Sequence, residues 1–118
     1  MTGSSTLGAK TVLHPVSDLA AAKAVYTALL GVQPQTDSSY YVGFEAAGQQ
    51  IGLVPSGGPQ GLTSPVTYWH VPDIKAKLAE VTAAGATVQQ AAHDVGGGRL
   101  VATVTDLDGN VLGLLQDH

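Results

Sequence analysis

The chain carries one order of elements twice, and that duplication limits its fold more than any other feature. Gly48-Gln49-Gln50-Ile51-Gly52-Leu53-Val54 recurs as Gly109-Asn110-Val111-Leu112-Gly113-Leu114-Leu115. Upstream of the two copies stand Val16-Ser17-Asp18-Leu19 and Val71-Pro72-Asp73-Ile74. Each opens an Ala-rich helical stretch that ends at a glycine, Gly31 or Gly85. A repeated order of strand, helix and several strands implies one module used twice. Two such modules can enclose a cavity between them. The positions where chemistry is expected to face that cavity are mostly glycine or apolar.

Element by element, Thr11 to Val16 reads as a first strand, with Pro15 placing it at an edge or a bulge. Asp18 suits an N-cap, and Leu19, Ala22, Tyr26, Leu29 and Leu30 recur near a 3.6-residue period before Gly31. Pro34 to Ser39 reads as a connection and Tyr40 to Glu45 as a strand. Ala46-Ala47-Gly48-Gln49 reads as a hairpin turn leading to a strand over Gln50 to Val54. After a Gly- and Pro-rich stretch come a strand over Val66 to Val71 and a helix over Asp73 to Ala84, with Ile74, Leu78 and Val81 as its buried stripe. Thr87 to Ala92, Arg99 to Thr105 and Val111 to Gln116 then read as strands. Turns at Gly96-Gly97-Gly98 and Asp106-Leu107-Asp108-Gly109-Asn110 join them. The second half is βαβββ, and the first matches it with one strand poorly marked. The expected organisation is a flexible N-terminal tail over 1-10, a first module over 11-56, a linker over 57-65 and a second module over 66-118.

Bulk properties exclude several function classes. The formal charge is −4 and the five Lys and Arg residues are scattered, so the clustered positive charge of a nucleic-acid footprint is missing. No cysteine is present, which removes disulfides, thiolate metal sites and cysteine nucleophiles. Met1 to Lys10 lacks the apolar centre of a signal peptide, and no apolar run reaches membrane-spanning length. A cytoplasmic protein with no membrane partner is the expectation. Charged residues make up only 12%, against the usual quarter, which leans towards a surface partly covered by a second copy.

The paired βαβββ order resembles the vicinal oxygen chelate superfamily, which includes glyoxalase I, extradiol dioxygenases and bleomycin resistance proteins. Its local signatures are Val16-Ser17-Asp18-Leu19-Ala20-Ala21-Ala22-Lys23-Ala24-Val25-Tyr26 with Leu29-Leu30-Gly31, and Asp106-Leu107-Asp108-Gly109-Asn110 entering the last strand. The resemblance covers Thr11 to Gln116. It implies an α+β fold in which two tandem βαβββ modules form a curved mixed sheet around a cavity, often in a homodimer. In metal-dependent members, one side chain early on each module's first strand and one on its last strand bind a divalent cation. The resemblance carries those positions to Thr11, Val66, Gly52 and Gly113. None offers the imidazole or carboxylate that zinc, nickel, iron or manganese requires. Without the ion, metal-assisted isomerisation or ring cleavage loses its Lewis acid. A rebuilt site would draw on His14, His70 and Glu45, but alternation turns His14 away from the cavity unless Pro15 bulges the strand.

Other residues carry both functional and plain readings. His70 shares the inferred cavity face with Val66 and Tyr68, where it can contact a ligand or act as a base; the plain reading is a polar strand residue satisfied by a carbonyl or water. Tyr68, Trp69, Tyr40 and Tyr41 can stack a planar ligand, or can fill the core. Trp69 alternates with Tyr68 and fits core or subunit interface as well. Arg99 can clamp a carboxylate or phenolate, or stand solvated after its turn. Glycine at 52 and 113 enlarges the cavity in this reading. Gly96 to Gly98 lacks the helix and lysine of a phosphate cradle, Asp106 and Asp108 lack the other ligands of a calcium loop, and His93-Asp94 has no marked nucleophile serine.

The candidate ligand contacts are therefore His70, Tyr68, Tyr40, Tyr41, Trp69, Arg99, Gly52 and Gly113, with no catalytic residue, metal or cofactor assigned. The expected function is a metal-free small-molecule binding protein of the bleomycin-resistance type, which sequesters a bulky, partly planar compound and so confers drug resistance. The alternative is a metal-dependent or His-assisted lyase, isomerase or dioxygenase of the glyoxalase family. A third reading is an interaction module with a collapsed cavity.

Overall fold

A computed structural model of the chain describes residues 5–56 and 64–117. Its elements run β1 (Gly8–Val16), α1 (Leu19–Leu30), β2 (Thr36–Asp37), β3 (Val42–Ala46), β4 (Gln49–Pro55), β5 (Val66–His70), α2 (Ile74–Ala83), β6 (Thr87–Asp94), β7 (Leu100–Thr105) and β8 (Val111–Gln116). The order is βαβββ twice, an α+β arrangement. Two compact units result. Lys10–Val66 forms one, and the residues up to Ala9 with those from Thr67 onward form the other. Most of the linker read at 57–65 lies outside the described residues.

In the first unit the strands lie in the order β2-β3-β4-β1. β1 runs parallel to β4, while β3 is antiparallel to both β2 and β4, so the sheet is mixed. The β1–β4 register passes through Pro15 opposite Val54 without a shift, and no bulge forms there. The Asp18 carboxylate accepts the Ala21 N–H at 3.0 Å, which satisfies a donor left orphaned at the start of α1. Gly31 ends the helix in the left-handed region at φ 72°. Val42, Phe44 and Leu53 form the buried centre, against which Leu19, Ala22, Tyr26 and Leu30 of α1 pack. Leu29 does not join that stripe. It is 74% exposed, because the sheet meets only the side of the helix on which Leu19, Ala22, Tyr26 and Leu30 lie.

The second unit orders its strands β5-β8-β7-β6, again with one parallel pair, β5 with β8. Val71, Ile74, Ala102 and Leu114 make its core, with Leu78 of α2 packed on it. Asp73 caps α2 by accepting the Ala76 N–H at 3.1 Å. The Gln116 side chain accepts the Ile74 N–H at 2.8 Å and so ties the helix start to β8. β1 begins at Gly8, three residues before the expected Thr11, and Leu7 donates its N–H to the His70 carbonyl at 2.7 Å. The segment just before β1 thus has backbone partners that its small, polar composition does not advertise.

The weakly marked strand is β2, two residues inside the stretch read as a connection. β3 starts at Val42, so Tyr40 and Tyr41 precede it instead of opening it. The hairpin between β3 and β4 turns on Ala47 (φ 54°) and Gly48 (φ 77°). Two left-handed residues match the twist of paired strands, but Ala47 bears a side chain where glycine is at ease. Ala47→Gly is expected to raise stability by roughly 0.5 kcal/mol, since relief of the left-handed strain outweighs the added freedom of the unfolded chain. Urea denaturation with an unchanged slope checks this.

Candidate functional site

In the second unit, register places the site residues on one face of the sheet. Tyr68 on β5 pairs with Gly113 on β8, which pairs with Thr103 on β7, while His70 pairs with Leu115 and Leu115 with Val101. Ala102 and Leu114 alternate with these and pack under α2, so Tyr68, His70, Thr103 and Gly113 lie on the opposite face. Trp69 is opposite Leu114 and therefore belongs to the helix side, where it is 38% exposed.

The glycines do not open space on this face. A Cβ built on Gly113 would fall 2.5 Å from Cδ2 and 2.7 Å from Cγ of Tyr68. The ring lies across the glycine and is only 1% exposed. Gly52 in the first unit repeats the arrangement: its Cβ would fall 2.6 Å from Leu13 Cδ2 and 2.7 Å from the Tyr41 hydroxyl. Leu13 pairs with Gly52 as Tyr68 pairs with Gly113, so the two units use corresponding strand positions. The expectation that both glycines enlarge a cavity is thus corrected. Each makes room for a neighbouring side chain, and Tyr68 is packed floor, not an open stacking surface. Burial also pushes the Tyr68 phenol pKa up, so it stays protonated through neutral pH.

His70, Arg99 and a residue that the sequence reading missed meet at one end of the face. Arg99 precedes β7 and Asp117 follows β8, one step beyond the Leu100–Gln116 pair. Asp117 accepts from Arg99 Nε at 2.8 Å through one oxygen, and its other oxygen lies 3.4 Å from His70 Nδ1. Arg99 is set in place by its turn: its N–H donates to the Gly96 carbonyl, and its own carbonyl accepts the Val95 N–H. Three consecutive glycines at φ 119°, 64° and 82° allow that tight path. Spacing could have found Asp117, which stands two residues past Leu115 as Arg99 stands two before Val101. Its place outside any strand hid it.

The remaining candidates are dispersed. Tyr40 is 72% exposed, while Tyr41, half-buried, turns in over Gly43 and Gly52. The Ser38 hydroxyl holds that turn by accepting the Tyr41 N–H at 3.0 Å. Glu45 is exposed and accepts from Gln35 at 2.9 Å. His14 faces α1, with Nδ1 3.1 Å from the Tyr26 hydroxyl and the two rings edge to face. A hollow of about 350 Å³ beside α1 is lined by Lys23, Thr27, Gln33 and Asp37, with Lys23 and Asp37 paired at 2.8 Å.

Burial lowers the His14 pKa below its ordinary 6.5. The folded state then binds fewer protons than the unfolded chain, so this contribution is complete above about pH 6.5 and is lost as pH falls towards the folded-state value. His14→Gln is expected to destabilise the protein at pH 7.5 and to do so less at pH 5, as read from urea midpoints at the two pH values.

Thr11, Val66, Gly52 and Gly113 supply no donor set for a divalent transition metal, and Thr11 instead donates to Gln50 at 3.4 Å. Among the described residues no three His, Cys, Asp or Glu side chains gather to hold an ion.

The comparisons agree with this architecture. No curated protein matches the sequence. The crystal structure of methylmalonyl-CoA epimerase from Mycobacterium tuberculosis superposes with a TM-score of 0.75 at 17% identity, covering 100% of this chain and 93% of that one. A glyoxalase/bleomycin resistance protein/dioxygenase superfamily member from Vibrio splendidus 12B01 gives 0.67 at 17%, covering 92% and 97%. The NAD-dependent benzaldehyde dehydrogenase of Legionella pneumophila gives 0.75 at 17%, covering 92% and 98%. At such identities the likeness concerns fold alone. The sequence profile of the Glyoxalase/Bleomycin resistance protein/Dioxygenase superfamily matches residues 8–114, and with its two βαβββ modules this chain belongs to that superfamily.

Proposed function

We propose that this protein is a metal-free small-molecule binding protein of the bleomycin-resistance type, which protects by sequestering a bulky, partly planar compound. The observation that carries this reading is the chemistry of four positions. Thr11, Val66, Gly52 and Gly113 stand where the superfamily resemblance places metal ligands, and both glycines lie under neighbouring side chains. Binding without chemistry needs shape, apolar contact and a few placed polar groups. In the second unit His70 with Arg99 supplies polar grip, and in the first, taken by itself, half-buried Tyr41 supplies an aromatic edge. Sequestration then requires only mass action. A cytoplasmic homodimer fits the reading: exposed Val25 and Leu29 leave an apolar outer strip on α1, and among the described residues no helix is long and apolar enough to cross a membrane. Sedimentation analysis checks the dimer.

The function is tested by titrating a panel of planar antibiotics calorimetrically, with and without a chelator. At least one compound is expected to bind, with an affinity the chelator leaves unchanged. Binding that disappears with the chelator contradicts the reading. A folded protein that binds nothing in the panel points to an interaction module instead.

A further inference from the structure

We infer that Arg99 and His70 form a carboxylate-binding subsite, and that Asp117 is its displaceable internal occupant. This rests on the small-molecule reading above and names the chemistry of the ligand: a planar body bearing a carboxylate. Two nitrogen-bearing side chains, Arg99 just before β7 and His70 at the end of β5, stand against the two oxygens of one carboxylate, with Arg99 Nε donating at 2.8 Å and His70 Nδ1 lying 3.4 Å away. A guanidinium and an imidazole spaced to share a carboxylate recognise that group whatever molecule carries it.

The two sides of this contact differ in rigidity. The His70 side chain is 8% exposed, and its backbone carbonyl accepts from both Leu7 N at 2.7 Å and Thr6 Oγ1 at 3.1 Å. The Arg99 backbone is held by the glycine turn, and its side chain is 31% exposed. Asp117 lies past the last rung of β8, its side chain 52% exposed. A half-exposed ion pair adds little stability, so exchanging its carboxylate for another is a near-balanced step. An internal carboxylate at high effective concentration suppresses weak carboxylates and yields to one that also brings apolar contact. Position supports the same conclusion. Arg99 and Asp117 stand past the ends of β7 and β8, and the face behind them is filled, Val101, Thr103 and Leu115 being 7%, 3% and 2% exposed, so a carboxylate seated there leaves the attached body pointing outward past the strand ends.

The test uses 2-naphthoate as the probe and its neutral isostere 2-naphthamide as the control, titrated into the full chain and its Asp117→Asn and Arg99→Gln variants. Circular dichroism verifies that each variant is folded. Asp117→Asn is expected to tighten naphthoate binding roughly fivefold or more, since the internal competitor loses its charge. It should leave naphthamide unchanged, and Arg99→Gln should abolish the preference for naphthoate. If naphthamide and naphthoate bind equally to the parent and Asp117→Asn changes neither, the subsite is refuted while the small-molecule reading stands. If neither probe binds any folded variant and the antibiotic panel is also silent, both fall together.

Discussion

Gly113→Ala is expected to destabilise the protein by about 1–3 kcal/mol, the usual range for forcing a methyl group into a packed interior. The new carbon would meet Cγ and Cδ2 of Tyr68 at 2.7 and 2.5 Å, close to where the ring is anchored, so rotation at the end of the side chain gives no relief. Tyr68 is also almost wholly buried and has nowhere to move. Gly52→Ala makes a matched control. Its new methyl meets Leu13 Cδ2 and the hydroxyl end of Tyr41, the far ends of two half-buried side chains, and the expected loss is smaller than that of Gly113→Ala. Tyr68→Ala alone leaves a cavity, with an expected loss of about 3–5 kcal/mol by analogy with other large aromatics. In that background, adding Gly113→Ala should have almost no further effect. The coupling between the two positions then equals the loss seen in Gly113→Ala itself. Independent, additive losses would show that the ring does not lie over the glycine.

Phe44→Ala is expected to remove about 3–5 kcal/mol, a large share of the roughly 5–15 kcal/mol that holds a domain together. No residue of α1 is fully buried, so the helix is held by shallow contacts onto Val42, Phe44 and Leu53. Phe44 is the largest of those three, and its loss undercuts Leu19, Ala22, Tyr26 and Leu30 together. Urea denaturation should show a lower midpoint. Amide exchange should show α1 opening before α2, whose Ile74 is itself fully buried. A Phe44→Ala protein with α1 protected as in the parent would contradict this packing.

Several elements were legible in the sequence because local chemistry and tertiary demand agree. Asp18 and Asp73 precede their helices as capping residues, Gly31 adopts the left-handed conformation, and strand alternation alone turns His14 towards α1. β2 escaped notice because a two-residue strand has no period to read. Leu29 was misplaced for the opposite reason: its periodicity is correct, but the sheet covers only a narrow stripe of the helix. The site was less readable than the fold. A glycine in a strand signals either a void or a close neighbour, and sequence does not distinguish them. Only the register shows that Tyr68 lies on Gly113 and Leu13 on Gly52. Asp117 carried no motif, and its role comes from two strand ends meeting.

Small-molecule binding without a resident cation is the reading proposed above. It is tested most directly by dialysing the purified protein against zinc, nickel, manganese and iron in turn, then against metal-free buffer, and measuring bound metal per chain by mass spectrometry. Under that reading, far less than one equivalent of any of them is expected to remain bound. One equivalent retained by the parent and lost on changing Thr11 or His70 would contradict it.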